Sequence, residues 1–443
     1  MNDMPRRGEV FRYESFTADA ERGLLTCQYS LDGRSFTERV SLAPGPRWHL
    51  PAAQAAARLV FLLAGVSYYK TAAPAVIDLG GTPLTAREQD FLRDFYLQGL
   101  GEYAYRNTLD LSDLRIEAPS TPSTPQVPDQ PSTAKMARAL VPFGGGIDSI
   151  VTVEQVRQQA DVALFVVSRP GDRFDAIEQP AAVTGLPVVR AEREIDPQLL
   201  RSAELGFLNG HVPVTGILSA IAVLAAVLTG RDAVVMSNEW SASVPTLEYA
   251  GRPVNHQYSK SEEFEAAFRG VLADQGSLPA YFSWLRDRTE LWVGERFAAL
   301  TQYHGSFRSC NKAFYAERSR RLAHWCGQCD KCCFIDLILA PFLSAEALRR
   351  IFAVAGEPLA DPGLAAKFRS LLGAGAKPFE CVGEVAECRA AVLLAARRDD
   401  RAGTALLQEL AAEVASWPDA PSETETAAML RPVGRNFIPP GYR

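Results

Sequence analysis

Gly144, Gly145 and Gly146 stand between an apolar run and an Asp148-Ser149 pair that opens an amphipathic segment. Glycine lets the backbone turn sharply and bring its N–H groups close to a bound group. The pattern after the glycines predicts a helix, whose N-terminus adds unpaired donors and a partial positive charge. The segment therefore predicts a binding site for a phosphate or pyrophosphate, with the Ser149 hydroxyl as a further donor. An ordinary glycine-rich turn is the alternative.

The spacing of these glycines differs from that of other phosphate-binding loops. The loop has neither the Gly-x4-Gly-Lys-Ser/Thr pattern nor the Gly-x-Gly-x-x-Gly pattern of dinucleotide folds. Residues 144–149 instead resemble the PP-loop of the N-type ATP pyrophosphatases, Ser-Gly-Gly-x-Asp-Ser, with Gly144 in place of the serine. The resemblance implies an enzyme that splits ATP into AMP and pyrophosphate and places AMP on a substrate oxygen.

Strands and helices that alternate beyond residue 136 must position this loop. Apolar strands separated by helices predict a parallel sheet covered on both faces, with ligands at the carboxyl ends of its strands. That rule brings Ser168, Asn238 and Glu239 to the cleft of the glycine loop. Asn238 and Glu239 are candidates for binding ribose or metal and Ser168 for lining an adenine pocket, and simple turns are the alternative. The predicted strands are 139–143, 162–167, 187–190 and 233–236, and the helices 148–159, 174–184 and 213–228.

Four cysteines form the second chemical motif. Cys326, Cys329 and Cys332 follow Cys-x2-Cys spacing, and Cys310 lies upstream. Four soft ligands within tetrahedral reach favour a closed, structural Zn²⁺ site. His324 and Cys333 are rivals to Cys310 as the fourth ligand, and free thiols or a redox pair are the alternatives to zinc. A similar arrangement occurs in the PP-loop enzymes that make 7-cyano-7-deazaguanine.

The remaining organisation is read from composition. Residues 1–117 predict an α+β domain, for which substrate recognition is the hypothesis, and the Pro/Ser/Thr-rich stretch 118–135 predicts a linker. Residues 136–335 hold the nucleotide motif and the cysteines, and residues 336–443 predict a helical region. The predicted fold class is therefore α/β, with a parallel-sheet PP-loop domain between an N-terminal α+β domain and a helical C-terminal region.

Charge and hydropathy exclude some functions. A net charge of −6 over 443 residues argues against a nucleic-acid groove. The N-terminus lacks the apolar core of a signal peptide, and the apolar stretch 214–228 is too short to span a bilayer comfortably. We therefore expect a cytoplasmic protein with reduced or metal-bound cysteines and with neither a membrane nor a nucleic acid as partner.

The whole chain is similar to one family within the PP-loop superfamily, the UDP-N-acetyl-α-D-muramoyl-L-alanyl-L-glutamate epimerases of peptidoglycan synthesis. The resemblance implies that ATP and Mg²⁺ activate the terminal L-glutamate of a UDP-linked muramoyl dipeptide as an acyl adenylate, which is epimerised and hydrolysed. Besides the two motifs above, it rests on Gly65-Val-Ser-Tyr-Tyr-Lys70, Asn209-Gly-His-Val-Pro-Val-Thr215, Ser237-Asn-Glu239, Val254-Asn-His-Gln-Tyr-Ser-Lys-Ser261 and Lys377-Pro-Phe-Glu-Cys-Val-Gly-Glu384.

Candidate roles follow from residue chemistry. Asp148 suits either Mg²⁺ coordination or capping of the following helix. Lys260 suits phosphate or carboxylate binding, and His256, His211 and Cys381 are candidate proton carriers. A polar loop before a capped helix, a hydrogen-bonded histidine and a structural cysteine are the respective alternatives. The sequence does not identify the bases of the two faces.

A last candidate group lies in the N-terminal part. Tyr68, Tyr69 and Lys70 are candidates for binding the UDP group, with packing of two tyrosines on a half-buried strand as the alternative. For the protein as a whole, a PP-loop ligase of the 7-cyano-7-deazaguanine synthase type and a non-enzymatic zinc- and nucleotide-binding sensor are the alternative functions.

Overall fold

The computed structural model describes residues 7–122, 137–375, 378–380 and 382–442. Within these ranges the strands are β1 (Val10–Asp19), β2 (Leu24–Leu31), β3 (Arg34–Ser41), β4 (Val76–Asp78), β5 (Arg115–Glu117), β6 (Ala137–Pro142), β7 (Ala160–Ser168), β8 (Val188–Glu194), β9 (Ala233–Met236), β10 (Leu247–Tyr249), β11 (Arg252–Val254) and β12 (Ala280–Ser283).

The helices lie between and after these strands. They are α1 (Pro51–Ala64), α2 (Val66–Tyr69), α3 (Ala86–Gly99), α4 (Gly101–Arg106), α5 (Ile147–Val156), α6 (Asp175–Thr184), α7 (Val214–Thr229), α8 (Glu262–Asp274), α9 (Glu290–Ala298), α10 (Asp330–Leu339), α11 (Ala345–Ile351), α12 (Ala365–Leu371), α13 (Val385–Ala396), α14 (Ala405–Ala415) and α15 (Glu423–Met429).

One ten-stranded sheet runs through the molecule in the order β12-β9-β6-β7-β8-β3-β2-β1-β4-β5. The block β12-β9-β6-β7-β8 is parallel, which confirms the predicted α/β class with a mostly parallel sheet. The N-terminal strands continue this sheet, because β3 pairs antiparallel with β8. The parts on either side of residues 118–135 therefore share one sheet, and the proposed division into domains stays a prediction.

Helices cover both faces of the sheet, as alternation along its strands requires. On β6, Leu140 faces a core that holds α1, α7 and the N-terminal aromatic residues. Its neighbours Ala139 and Val141 face a second core that holds α5, α9, α10 and the C-terminal helices. In the described part of the chain, the residues after 334 are helical or irregular, which confirms the predicted helical C-terminal region.

Two apolar helices lie in the first core. By length and composition alone, Pro51–Tyr69 could cross a membrane, but 78% of its most apolar 18-residue window is buried inside the fold. The shorter apolar helix α7 packs against α1 and is mostly buried. Both helices thus have their apolar surfaces occupied by this chain.

The tyrosines of α2 correct one prediction. Tyr68 and Tyr69 lie on a helical turn that directly follows α1, not on a half-buried strand, and both are fully buried. Tyr68 stacks on Tyr29 and donates a hydrogen bond to Glu38 Oε2 at 2.9 Å, and Tyr69 donates one to the carbonyl of Pro74. Burial of this kind leaves no ring face for a uracil, so packing explains both residues.

Candidate functional site

A cavity of about 400 Å³ opens where β6, β7 and β9 end. Its volume is in the range of small-molecule sites. Of the residues that the sequence predicted for this cleft, Gly144, Gly146, Asp148, Ser149 and Asn238 line it, and so does Lys260, a candidate from a separate segment. Gly145, Ser168 and Glu239 lie next to lining residues but do not line it themselves. The rule that ligands bind at the carboxyl ends of parallel strands thus located the cavity, but it did not identify all of the lining residues.

The three glycines have different surroundings. A Cβ on Gly144 would meet no atom within 4 Å, and one on Gly146 would meet Ser309 Oγ at 3.0 Å. Gly145 has a φ of +75°, and a Cβ there would lie 2.2 Å from the carbonyl oxygen of Ala176 on α6. The middle glycine therefore lets the loop pack against α6, while Gly144 and Gly146 border the cavity.

Helix α5 begins directly behind the loop. Gly146 is its N-cap residue, and no side chain caps the helix. Ser149 Oγ donates a hydrogen bond to the carbonyl of Gly146 at 3.0 Å, and Asp148 is the second helical residue. The capping alternative for Asp148 is therefore wrong, because its carboxylate does not accept from the helix N-terminus. Without a side-chain cap, the first N–H groups of α5 remain suited to an anion.

Three carboxylates gather beside this helix. Asp148, Glu239 and Glu290 each offer an oxygen atom, and these atoms lie within 4.8 Å of one another. Glu239 and Glu290 are buried, and Asp148 Oδ1 and Glu290 Oε2 are buried atoms without a hydrogen-bond partner. Burial and the neighbouring Glu239 raise the pKa of Asp148 to about 6, and burial with Asp148 raises that of Glu290 well above its usual value.

Unpartnered carboxylate oxygens this close together repel one another unless a proton or a cation lies between them. Oxygen ligands of this kind suit Mg²⁺, so the residues fit the cation that an ATP site requires. Glu290 was not found from the sequence, because the short strand β12 before it went unrecognised. Thr289 followed by Glu290, which caps and opens α9, was the available signal.

Positive charge also lines the cavity. Lys260, Arg308 and Lys331 are among the lining residues, and both lysines lower the pKa of Asp148 against the effect of burial. Apolar side chains complete the wall, namely Phe165, Val167, Ile177, Leu218 and Phe314. Cations beside an apolar surface suit a ligand that has both a polyphosphate and an aromatic base.

A second polar cluster lies near Lys260. His256 Nδ1 donates to Glu102 Oε2 at 2.5 Å, and the rings of His256 and His211 have centroids 4.4 Å apart. Glu102 also accepts from Arg106 Nε at 2.5 Å. The structure thus brings together the two histidines that the sequence singled out separately, and it adds Glu102, which α4 supplies. Glu102 and His256 are more than 150 residues apart in the chain, so no local sequence motif joined them.

Lys70 adjoins this cluster. Its Nζ donates to Asn209 Oδ1 at 2.7 Å and to the carbonyl of Gly210 at 3.1 Å, directly before His211. Burial lowers the pKa of Lys70 to about 8. Burial and the charge of His256 lower the pKa of His211 to about 4, with smaller contributions from Lys260 and Lys70. His211 is therefore a neutral imidazole at pH 7.

The predicted zinc ligands converge. The sulfur atoms of Cys310, Cys326, Cys329 and Cys332 lie within 4.8 Å of one another, and Cys332 Sγ is 3.5 Å from Cys329 Sγ. His324 instead contacts the carbonyl of Trp325, and Cys333 lies outside the group. Four thiols in one group fit a tetrahedral soft metal ion. The group also joins the segments that carry Arg308, Ser309 and Lys331 to the cavity.

Cys381, a further candidate proton carrier, lies outside the described residues. Its neighbours Phe379 and Glu380 do lie near the histidines. The centroid of the Phe379 ring is 6.2 Å from that of His256, and the guanidinium of Arg106 lies over the Phe379 ring. Glu380 Oε1 accepts a hydrogen bond from Asn311 Nδ2 at 2.8 Å, and burial raises the pKa of Glu380.

Comparison with known proteins finds relatives that are similar over the full length of this chain. The family model of the MurL N-terminal domain matches residues 2–284, and that of the MurL C-terminal domain matches residues 306–425. Proteins named UDP-N-acetyl-alpha-D-muramoyl-L-alanyl-L-glutamate epimerase are similar throughout. Those of Salinispora tropica and a Micromonospora species are each 38% identical over 100% of this chain and 96% and 98% of their own lengths.

The epimerase of Xanthomonas oryzae pv. oryzae is 37% identical over 97% of this chain and 95% of its own length. No significant match was found among solved structures. The first family model extends across residues 118–135, in line with the continuous sheet. Similarity of this extent means that the chain belongs to the MurL epimerase family and is an isomerase.

Proposed function

We propose that this protein uses ATP and Mg²⁺ to convert the terminal L-glutamate of UDP-MurNAc-L-Ala-L-Glu to D-glutamate, releasing AMP and diphosphate. One observation carries the proposal: a nucleotide-sized cavity with a glycine loop and a carboxylate cluster lies beside two histidines and a lysine. The names of the relatives support the substrate. In this proposal the protein acts in the cytoplasm on a small molecule, without a nucleic acid or membrane partner.

ATP has a chemical reason in this reaction. An α-proton beside a carboxylate is very weakly acidic, because the anion resists further negative charge. Esterification of that carboxylate with AMP removes the charge and makes the neighbouring carbon much more acidic. Each 1.36 kcal/mol removed from the activation barrier raises the rate about tenfold, so this activation increases the rate of proton removal by many powers of ten.

The proposed sequence has three steps. The substrate's terminal α-carboxylate attacks the α-phosphorus of ATP, and the P–O bond to the departing diphosphate breaks. A base takes the α-proton, and a proton returns to the other face of the carbon. Water then cleaves the acyl adenylate to give the D-glutamate product and AMP, which makes the overall inversion effectively one-way.

The residues of the cavity have matching roles. The N–H groups of Gly144, Gly145, Gly146 and Ile147 would hold the departing diphosphate, with Lys260 and Lys331 offsetting its charge. Asp148, Glu239 and Glu290 would hold Mg²⁺, which neutralises phosphate charge as diphosphate leaves. Ser149 keeps its bond to Gly146 and stabilises the turn. The cysteines would hold a structural Zn²⁺ that fixes the cavity wall.

Deuterium incorporation tests the function. We expect the purified protein, with ATP, Mg²⁺ and UDP-MurNAc-L-Ala-L-Glu in D2O, to release pyrophosphate and to incorporate deuterium at the glutamate α-carbon. UDP-MurNAc-L-Ala is the matched control, because it lacks the reacting residue and should give neither signal. Pyrophosphate without deuterium would indicate a ligase, and the absence of both signals would contradict catalysis on this substrate.

A further inference from the structure

The histidine pair has a geometry that restricts how it can serve an epimerisation. An epimerase that uses two proton carriers must place them on opposite faces of one carbon. The proton-carrying atom of each carrier lies about 3–3.5 Å from the reacting carbon, so these two atoms are about 6–7 Å apart and the two rings have the carbon between them. The rings of His211 and His256 have centroids only 4.4 Å apart and are tilted by 40°. No carbon atom fits between rings in direct contact.

We propose that Glu102, His256 and His211 form one proton-transfer unit that serves a single face of the substrate's α-carbon, with Glu102 as its positioning residue. The inference rests on the proposed function and goes further, because it assigns both histidines to the same face. The unit takes the α-proton onto an imidazole nitrogen, and the C–H electron pair stays on the activated acyl group. The proton that completes the inversion comes from a group outside the unit.

Glu102 is suited to a positioning role. Its side chain is 6% exposed, and it accepts from His256 Nδ1–H, which leaves Nε2 of that ring as the proton-accepting nitrogen of the neutral form. Burial alone would raise the pKa of Glu102, but the hydrogen bonds from His256 and Arg106 hold it below the usual value. A carboxylate fixed in this way holds the imidazole in one tautomer and stabilises its protonated form.

Hydrogen bonds hold the loop that precedes His211. Tyr103 donates to the carbonyl of Lys70 at 2.7 Å, and Asn107 donates to that of Asn209 at 3.1 Å. Lys70 itself binds Asn209 and Gly210, so the loop before His211 is attached to α2 and α4. The N-terminal part of the chain thus positions both histidines, which gives it a role in proton transfer besides any role in binding.

The cluster is less suited to a metal ion. Glu102, His211 and His256 offer atoms within 4.8 Å of one another, a spacing that a divalent cation can also use. Arg106 already pairs with Glu102 at 2.5 Å, however, and Lys70 and Lys260 lie close enough to act on His211. These three positive side chains would repel a metal cation. The cluster is therefore better suited to gaining and losing a single proton.

Exchange of the α-hydrogen tests the single-face assignment. The acyl adenylates of UDP-MurNAc-L-Ala-L-Glu and of its D-Glu epimer are supplied preformed in D2O, so that ATP is not needed. We expect the wild-type protein to exchange the α-hydrogen of both and His256→Gln to exchange that of only one, without epimerisation. Exchange of both or of neither by His256→Gln would overturn the inference. A wild-type protein that exchanges neither would overturn the proposed function as well.

The Glu102→Gln variant tests positioning. Among the residues that the structure describes, the charges around His256 come from Glu102 and Arg106 on α4, His211 and Lys70 beside it, Lys260 on its own segment, and Glu380. Removal of the Glu102 charge should move the acid limb of the exchange–pH profile down by about one unit or more.

Glu88→Gln is the matched control. Glu88 is also a buried glutamate of the N-terminal part that pairs with an arginine, Arg58, but it lies in the capping box of α3 and not at the histidines. The control should keep the wild-type exchange profile even if it lowers stability. An unchanged profile in Glu102→Gln, or the same shift in both variants, would overturn the positioning role.

Discussion

Asp148 at the start of α5 and Glu290 at the start of α9 place carboxylate oxygens within 4.8 Å of one another, and each residue has a buried oxygen without a hydrogen-bond partner. Both residues open helices that pack against each other in the second core. Their proximity is therefore fixed by the fold. This proximity lowers the stability of the fold when both carboxylates are ionised, and a bound cation offsets that loss.

Asp148→Ala should lower pyrophosphate release by about 100-fold or more, because the cavity loses a charged ligand next to the reacting phosphates. The measurement is the initial rate of pyrophosphate release at saturating substrate. Asp161→Ala is the control, since Asp161 is an aspartate on β7 whose side chain is 49% exposed and pairs with Arg231. Near-normal turnover in Asp148→Ala would remove Asp148 from the ATP site.

Stabilisation by Mg²⁺ should depend on pH. The pKa of Asp148 is raised from 3.8 to about 6, so the folded protein binds this proton more tightly than the unfolded chain does. The resulting stabilisation is fully present below pH 3.8 and is lost as pH rises through about 6. Mg²⁺ requires the deprotonated carboxylates, so it should raise the melting temperature more at pH 8 than at pH 5.

The Asp148→Asn variant serves as the control for this prediction. It cannot ionise at this position, so its melting temperature without metal should exceed that of the wild type at pH 8, by about 2 °C or more. Its response to Mg²⁺ should be small at both pH values. Equal Mg²⁺ stabilisation of the wild type at pH 5 and pH 8 would count against a cation at these carboxylates.

Adjacent glycines should respond differently to alanine. Gly145→Ala places a methyl group 2.2 Å from a backbone oxygen at a φ of +75°, so we expect the free energy of unfolding to fall by about 2 kcal/mol or more. Gly144→Ala meets open space and should change stability by less than about 0.5 kcal/mol.

Urea unfolding and ATP binding measure the two effects separately. The methyl group of Gly144→Ala enters the cavity, so this variant should bind ATP more weakly while it stays as stable as the wild type. Equal stability of Gly144→Ala and Gly145→Ala would show that the loop does not pack against α6 as described.

Elemental analysis should find about one zinc per chain. Cys329→Ser should lose the zinc and stability with it, because a structural zinc site contributes to folding free energy. Cys333→Ser is a sharp control, since this neighbouring buried cysteine lies outside the group of four sulfurs. A metal-free native protein of full stability, or equal zinc loss in both variants, would contradict the site.

Local signals in the sequence predicted the parts of the site that lie close together in the chain. The turn after β6, the cysteine spacing and the ends of β7 and β9 carried enough pattern to locate the cavity and the thiol group. Residues outside such patterns were missed. Glu290 follows a four-residue strand, β12, and Glu102 lies within the short helix α4, so neither has a motif of its own.

Helix and strand assignments show a similar division. Helix α6 was predicted at 174–184 and runs from Asp175 to Thr184, where Gly185 with a φ of +67° ends it. Tyr68 and Tyr69 were assigned to a strand because aromatic residues favour strands in general. In the structure, burial against Tyr29 and Tyr96 overrides that preference and keeps the turn helical.

The antiparallel pairing of β3 with β8 has a mechanical consequence. Arg39, Val40 and Ser41 pair with Glu194, Arg193 and Glu192, and Arg193 Nε donates to Oε1 of the buried Glu38 at 2.8 Å next to this seam. A hinge motion between the two halves would have to break backbone bonds and a buried ion pair together, which costs several kcal/mol. This seam therefore disfavours a hinge between the two halves, so the sheet holds the glycine loop and the histidine pair in one stiff frame.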